Sequence, residues 1–81
     1  LNPHYPLAYM NRALSYFHLK EYEKAEADFQ KTLALDINYA PAHLYYGKML
    51  LEIGEEEDAQ ICFENVLVID PENEEALDLL Q

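Results

Sequence analysis

The feature that most constrains this chain is a self-similarity with a fixed period of 34 residues. Many positions become identical when the sequence is shifted by that period without any insertion, among them Tyr5 and Tyr39, Ala8 and Ala42, Ala25 and Ala59, Phe29 and Phe63, Leu33 and Leu67, and Asp36 and Asp70. A unit this short cannot bury its apolar face alone, so such chains stack successive units into an array. The period therefore predicts a repeat protein.

The first repeat has the apolar spacing of two helices joined by a short turn. One helix is predicted from about Leu7 to Leu19, where apolar residues surround most of the helix and indicate packing on two sides. After a break at residues 20–21, a second helix is predicted from about Tyr22 to Leu35. Its inward face is predicted to consist of residues at steps of three and four: Ala25, Phe29, Thr32 and Leu33.

The second repeat follows the same plan. Helices are predicted from Pro41 to Ile53 and from Glu56 to Ile69, and Gly54 between them suits the left-handed turn that follows a helix. Pro71 ends the second of these helices because it has no N–H to donate. A last helix is predicted from about Glu74 to Gln81. Its apolar face is predicted to consist of Ala76, Leu77 and Leu80.

The small and aromatic residues of each unit resemble the tetratricopeptide repeat, a helix–turn–helix unit of the same length. The matching pairs are Tyr9 and His43, Ala13 and Gly47, Tyr16 and Leu50, Ala25 and Ala59, and Phe29 and Phe63. The closing proline of the family is met by Pro3 and Pro71, with Ile37 at the place between them. Arg12 and Tyr46 stand where the family usually has leucine, and Thr32 and Val66 replace an alanine.

The resemblance implies an all-α fold, a helical-hairpin solenoid with two tetratricopeptide-like units and a closing C-terminal helix in a right-handed superhelix. A single domain, residues 1–81, would then contain the tail of a preceding unit (1–4), a first repeat (5–38), a second repeat (39–72) and the start of a third unit or a capping helix (73–81). Because the repeat frame starts and ends inside a unit, and the sequence begins without Met, we expect a fragment of a longer array.

The resemblance also implies that the first helix of each unit lines the inside of the superhelix. We call this surface the inner face. Its predicted partner-binding residues are Leu7, Met10, Asn11, Leu14, Phe17, His18, Leu44, Tyr45, Lys48 and Leu51. Pro41 and Glu52 complete the surface, and Glu52 is its single acid although the chain has 16 acidic and 5 basic residues. An exposed apolar surface of this kind is typical of an interaction site, unless neighbouring units cover it.

We therefore expect a protein–protein interaction module that binds a partner peptide or helix in the inner groove. The alternative is a structural scaffold or self-assembly segment that stacks on other repeats without a peptide ligand, and exposed repeat ends would favour such self-association. Some members of the family hold a partner's C-terminal carboxylate with Lys, Arg and Asn on the inner face. Met10, Leu14 and Tyr45 occupy the corresponding places here, so this carboxylate site is not expected in these two units.

The net charge of −11 argues against nucleic acid and membranes as partners, because the field of the chain repels anionic surfaces. No apolar run approaches the roughly 20 residues that a membrane-spanning helix requires. The lone Cys62 cannot form an internal disulfide, which fits a reducing compartment such as the cytoplasm.

No group of residues predicts catalysis, a metal site or a cofactor, so we expect no enzyme activity. His4, His18 and His43 occur on different segments without ligand spacing, and His43 occupies a packing position. Cys62 has no predicted base beside it, and its register indicates partial exposure. The acidic run at residues 55–58 is interpreted as a helix start, where carboxylates interact favourably with the helix dipole.

Arg12 is the remaining unusual residue. We interpret it as a guanidinium that extends past Tyr9 and Tyr16 to water or to a carboxylate. The alternative is a contact with a ligand or with a neighbouring unit.

Overall fold

The computed structural model describes residues 5–81, which form five α-helices joined by short connections. The helices are α1 (Pro6–His18), α2 (Tyr22–Leu35), α3 (Ala40–Glu52), α4 (Glu56–Ile69) and α5 (Glu74–Leu79). These residues contain no β-strand, which confirms the predicted all-α class. The predicted tail of a preceding unit, residues 1–4 with Pro3 and His4, lies outside the described residues.

The helices pair as two hairpins, α1 with α2 and α3 with α4. In addition, α2 packs against α3 and α4 packs against α5, so the helices stack in chain order. The predicted ends of α2 and α4 are confirmed. The helices α1 and α3 begin and end one residue earlier than predicted, because Pro6 and Pro41 fit inside the first turn, where a proline N–H is not missed.

Two apolar clusters form the core, and both contain the residues that recur with the repeat. The first contains Met10, Ala13, Ala25, Phe29, Ala42 and Met49. The second contains Leu44, Leu50, Ala59, Cys62, Phe63, Val66 and Ala76. Ala25 and Ala59 are both 0% exposed, so the recurring alanine is buried in each hairpin, and the inward position predicted for Ala25 is confirmed. Of the predicted inward face of α2, Leu33 alone is half-buried rather than buried.

Helices α3 and α4 approach each other closely at Gly47. A Cβ atom built on this glycine would lie 2.6 Å from Cε1 of Phe63 and 3.0 Å from Cβ of Cys62. The Phe63 ring is 1% exposed, so the packed interior around it leaves the ring no room to move. The absence of a side chain at residue 47 is therefore a requirement of this helix pair.

Each hairpin turns through one residue with a positive φ angle, and the two residues are equivalent in the repeat. Gly54 has φ of 87°, and Lys20 has φ of 61°. The N–H of Lys20 donates to the carbonyl of Phe17, and that of Gly54 donates to the carbonyl of Leu51. A lysine in the left-handed region costs free energy that glycine does not, so the first turn is the more strained of the two.

The closing helix α5 is short and is fixed at its start by Asn73. The side chain of Asn73 accepts a hydrogen bond of 2.9 Å from the backbone N–H of Ala76, which is itself 0% exposed. Leu79 and Leu80 pack against the second core cluster. The predicted apolar face is therefore wrong for Leu77, which is 41% exposed, because α5 turns Leu79 rather than Leu77 towards α4.

Candidate functional site

The residues predicted for the inner face occupy three environments. The exposed residues are Leu7, Asn11, His18 and Leu51. The half-buried residues are Leu14, Phe17, Tyr45 and Lys48. The buried residues are Met10 and Leu44. The first two groups therefore provide the surface that a partner could contact.

Met10 and Leu44 pack into the core instead of presenting a surface. Met10 is 6% exposed in the first core cluster, and Leu44 is 8% exposed in the second. The expectation that these two side chains contact a partner does not fit this burial. Because α1 and α3 are apolar around most of their circumference, helical spacing alone does not separate core-facing from solvent-facing positions.

An open apolar hollow of about 400 Å³ lies between the starts of α1 and α3. Its lining consists of Tyr5, Pro6, Leu7, Ala8, Asn11 and Tyr39. Tyr5 is 61% exposed and Leu7 is 51% exposed, so apolar surface remains available there. The amide of Asn11 can both donate and accept hydrogen bonds. The hollow can therefore take an apolar side chain and bond to a neighbouring peptide group.

Tyr5 and Tyr39 belong to this hollow although the sequence did not predict them as site residues. They are identical under the 34-residue shift, and each directly precedes the first helix of its unit. Their recurrence was the available signal. It was missed because the inner face was assigned from helical positions alone, whereas both tyrosines lie just outside a helix.

The cation of the inner face is already engaged within the molecule. The ammonium group of Lys48 pairs with the carboxylate of Glu75 on α5. It also lies 5.0 Å from the centre of the Tyr45 ring, within the range of a cation–π contact. An anionic ligand would therefore have to compete with Glu75 for Lys48.

The acid of the inner face, Glu52, joins the end of α3 to the start of α2. The hydroxyl of Tyr22 donates a hydrogen bond to its carboxylate, and the ammonium group of Lys20 lies 3.8 Å away. The hydrogen bond to Glu52 raises the pKa of Tyr22 above its ordinary value. At neutral pH the hydroxyl therefore stays protonated and keeps this contact.

Arg12 on α1 contacts Asp28 on α2, which confirms the interpretation that its guanidinium reaches a carboxylate. Its Nε and Nη2 atoms donate to Asp28 at 2.6 and 2.8 Å. The guanidinium also lies 5.8 Å from the ring centre of Tyr9 and 5.9 Å from that of Tyr16. The hydrogen bond to Asp28 raises the pKa of Arg12, so the guanidinium stays charged at all ordinary pH values.

The second hairpin replaces this ion pair with Tyr46 and Cys62, the residues one repeat further along. Cys62 is 8% exposed, so its predicted partial exposure is wrong; Asp28, the residue that suggested it, is itself buried. Burial, and secondarily the Asp58 carboxylate, raise the pKa of Cys62 to about 11. Burial likewise raises the pKa of Tyr46 to about 12. A thiol held protonated in this way is a poor nucleophile.

The other polar residues singled out by the sequence have structural partners. His43 is 4% exposed, and its Nε2 lies 2.7 Å from the carbonyl oxygen of Ile37. The acidic run at residues 55–58 supplies the N-cap and first turn of α4, as interpreted. Within residues 5–81, no group of three or more His, Cys, Asp or Glu side chains is placed to hold a metal ion. No helix there has the length and apolar character to cross a membrane.

The geometry defines a class of protein, a stack of antiparallel helical hairpins in which recurring alanines and aromatics form the contacts. A family model, the tetratricopeptide repeat, matches residues 6–39. The chain belongs to the tetratricopeptide repeat family. The family match and the relatives indicate no catalytic family.

The relatives share both sequence and fold with this chain. RNA polymerase II-associated protein 3 of Mus musculus is 35% identical over 80 residues, which cover 99% of this chain but only 12% of that protein. The first TPR domain of Spaghetti (RPAP3), solved with the HSP90 peptide SRMEEVD, is 34% identical with a TM-score of 0.91. That match covers 98% of this chain and 63% of the solved chain.

The second TPR domain of human RPAP3, solved with the HSP70 peptide SGPTIEEVD, is 33% identical with a TM-score of 0.86. That match covers 94% of this chain and 63% of the solved one. These similarities confirm the predicted fold, a solenoid of helical hairpins.

Proposed function

We propose that this chain is a protein-interaction module whose inner face binds a peptide or helix of a partner protein. The observation that carries the proposal is the hollow between α1 and α3, where Tyr5, Leu7 and Tyr39 leave apolar surface beside the amide of Asn11. A side chain of the partner would be buried in the hollow, and Asn11 would bond to the partner's backbone. Leu14, Tyr45 and Leu51 would extend the contact along the inner face.

Apolar contacts would supply most of the binding free energy. Burying one leucine or phenylalanine anchor contributes about 1.5–3 kcal/mol. An exposed ion pair contributes about 0–1 kcal/mol, and salt screens it. Two or three anchors therefore outweigh the charged contacts, and an affinity in the micromolar range remains after the cost of ordering the peptide.

The solved relatives suggest a peptide ligand, but the chemistry of this inner face favours a different peptide. Both of their peptides end in Glu-Glu-Val-Asp. Here the inner-face cation Lys48 is paired with Glu75, and the chain has a net charge of −11. We therefore propose a partner segment with apolar anchors and few acidic residues.

A comparison of two peptides tests this preference. SRMEEVD is titrated against the chain beside SRMQQVN, an analogue without acidic side chains, with calorimetry or fluorescence anisotropy as the readout. We expect this analogue to bind at least as tightly, because it removes the acidic side chains that the acidic chain repels. Binding of the acidic peptide that is about tenfold tighter, or about 1.4 kcal/mol, would overturn the preference.

Substitutions on the surface locate the site. Leu7→Ser and Leu51→Ser change exposed residues of the inner face, so the fold should survive. Val68→Ser is the matched control, since Val68 is 80% exposed on α4. For a heptapeptide selected from a synthetic array, we expect each inner-face variant to weaken binding about tenfold or more. Equal affinity for all three variants would exclude the inner face as the site.

The same proposal makes the chain a binding module rather than an enzyme. It also excludes nucleic acid and anionic membranes as partners, because 16 acidic residues against 5 basic ones repel such surfaces. A DNA or RNA duplex and phosphatidylserine vesicles should therefore show no binding to the chain at about 150 mM salt.

A second candidate is a structural role in which repeats stack on other copies. It is favoured by the residues left at the two ends of the stack, Tyr9 and Tyr16 on α1 and the 41% exposed Leu77 on α5. An average mass that rises with concentration in sedimentation equilibrium, without peptide, supports this role. A strict monomer at millimolar concentration contradicts it.

The division into repeats stays a proposal. The pairing of α1 with α2 and of α3 with α4 supports units at 5–38 and 39–72. Because α5 covers α4 as α3 covers α2, we propose that residues 73–81 act as the start of a third unit or as a cap. Deletion of residues 74–81 should then lower the midpoint of unfolding, since it exposes the second core cluster.

A further inference from the structure

The inner face has a carboxylate beside two aromatic rings at the end that lies away from the hollow between α1 and α3. Glu52 is the last residue of α3, and its carboxylate accepts a hydrogen bond from the hydroxyl of Tyr22 at the start of α2. The centre of the Tyr22 ring lies 6.4 Å from that of Phe17, near the end of α1, and the two rings are tilted by 52°. We call Glu52, Tyr22 and Phe17 the acidic end of the inner face.

The carboxylate of Glu52 has capacity for a further partner. Its side chain is 44% exposed, and both of its contacts within residues 5–81 are made by Oε2. One of them is the 3.8 Å contact with Lys20, whose side chain is 72% exposed. An ion pair this long between exposed groups is weak, because water and salt screen it. A cation that binds more closely can therefore replace Lys20 while Tyr22 holds the carboxylate in place.

The chain itself shows which cation fits such a group. Arg12 is bound by the carboxylate of Asp28, and its guanidinium lies 5.8 and 5.9 Å from the ring centres of Tyr9 and Tyr16. A planar guanidinium can donate two hydrogen bonds to a carboxylate and also lie on an aromatic ring, which suits it better than an ammonium group. The acidic end offers the same combination at the surface, and the net charge of −11 attracts a cation to it.

The surface beside the acidic end leaves room for a long side chain. An open hollow of about 500 Å³ lies between the turn of the first hairpin and the end of α3. Its lining includes Lys20, Tyr22 and Ile53, and Ile53 is 41% exposed. The methylene groups of an arginine can lie on such apolar surface while its guanidinium reaches a carboxylate.

We propose that the acidic end of the inner face binds an arginine of the partner segment. This inference rests on the proposed function, since it names a second residue of the peptide whose apolar anchor enters the hollow between α1 and α3. An α-helix rises 1.5 Å per residue, so Glu52 lies about 18 Å along α3 from Ala40. An extended peptide advances about 3.3 Å per residue. The arginine is therefore about five or six residues from the apolar anchor.

Peptides with the arginine at varied distances from the anchor test this spacing. The probes have a Leu-Leu pair at one end and one arginine three to eight residues from the nearer leucine, in a background of Gly and Ser and in both chain directions. In the control peptides, glutamine replaces the arginine. Dissociation constants for the full 81-residue chain are measured by NMR titration, which also covers millimolar affinities.

At about 50 mM salt, we expect the arginine peptide with the spacing of five or six residues to bind about fivefold more tightly than its glutamine control. At about 500 mM salt the preference should fall to about twofold, because salt screens an exposed pair. A preference that is equal at every spacing would show only a general attraction to the acidic chain. That result, or a preference below about twofold at all spacings, would overturn the proposal.

Substitutions identify the carboxylate that binds the arginine. Glu52→Gln should reduce the preference to less than about twofold, whereas the matched control Glu64→Gln removes the same charge from an exposed position of α4 and should preserve it. Lys20→Gln removes the competing cation and should raise the preference about twofold, which Lys31→Gln should not do. Equal effects of Glu52→Gln and Glu64→Gln would mean that net charge alone matters, and the arginine site would be wrong.

The glutamine peptides separate this inference from the proposed function. Leu7→Ser should weaken the arginine and glutamine peptides alike, because both place a leucine in the hollow between α1 and α3. Peptides that bind and respond to Leu7→Ser but show no preference for arginine would overturn the arginine site alone. Absence of binding for all the peptides would overturn both this inference and the proposed function.

Discussion

At the scale of single residues, the two hairpin turns place a glycine and a lysine at the same position of the repeat, with different conformational cost. Gly54 and Lys20 both have positive φ, and each lies between the two helices of its hairpin. Glycine adopts this region freely, whereas a side chain with a Cβ meets steric resistance. The repeat thus tolerates lysine at the first turn only at a cost in stability.

Relief of this strain gives the first prediction. Lys20→Gly should stabilise the fold by about 1 kcal/mol relative to Lys20→Ala, because alanine keeps the strained Cβ while both variants lose the contact with Glu52. Gly54→Ala should destabilise by about the same amount, since open space surrounds Gly54 and only its φ of 87° resists the change. The free energy of unfolding is measured in urea for all three variants. Equal stability of the two Lys20 variants would contradict this explanation.

Cys62 gives a prediction on pH dependence. Its pKa of about 11 exceeds the ordinary value of 9.0, so the folded state holds the proton more tightly than the unfolded state. The resulting stability is fully present below about pH 9 and is lost as the pH rises to about 11. At pH 8 the thiolate fraction is about a hundredfold smaller than in the unfolded chain.

Alkylation by iodoacetamide at pH 8 should therefore be about a hundredfold slower in buffer than in urea. Cys62→Ser should remove the part of the alkaline stability loss that belongs to this thiol. Similar alkylation rates in the folded and unfolded chains would show that Cys62 is exposed.

At the scale of helices, the repeat period predicted the elements well because the same physical requirement recurs in each unit. The bounds of α2 and α4 followed from a break, a stripe of apolar residues and a proline after α4. The faces of α1 and α3 could not be predicted equally well, because both helices are apolar on several sides. Met10 and Leu44 consequently appeared as surface residues although they are buried.

The ion pair between Arg12 on α1 and Asp28 on α2 gives a prediction on stability. Arg12→Tyr leaves the 5% exposed Asp28 without its cation and should destabilise the chain by about 1–3 kcal/mol. Arg12→Tyr/Asp28→Cys installs the pair that the second hairpin uses at the same places, and should recover most of that loss. Chemical unfolding checks both. A double variant that is less stable than Arg12→Tyr would mean that the two hairpins do not accept the same pair.

At the scale of the whole molecule, the two hairpins share a fold but differ in the surface they present. The inner face is apolar, with the hollow between α1 and α3 at one end of it. Residues 1–40 contain four basic and five acidic residues, whereas residues 41–81 contain one basic and eleven acidic residues. The binding role of the inner face stays a prediction from the sequence. The sequence did not reveal the grouping of Lys24 and Lys31 around Tyr9 and Tyr16, because that grouping depends on how α1 packs against α2.

The central claim is that the inner face binds a peptide by apolar contact, and the salt dependence of affinity tests it most directly. The dissociation constant of a peptide that loses affinity on Leu7→Ser is measured at about 50 and 500 mM salt, concentrations at which the Debye length falls from about 14 to 4 Å. Because buried anchors contribute most of the binding free energy, we predict a change smaller than about threefold. A loss of affinity of a hundredfold or more would mean that charged residues, and not the apolar inner face, bind the peptide.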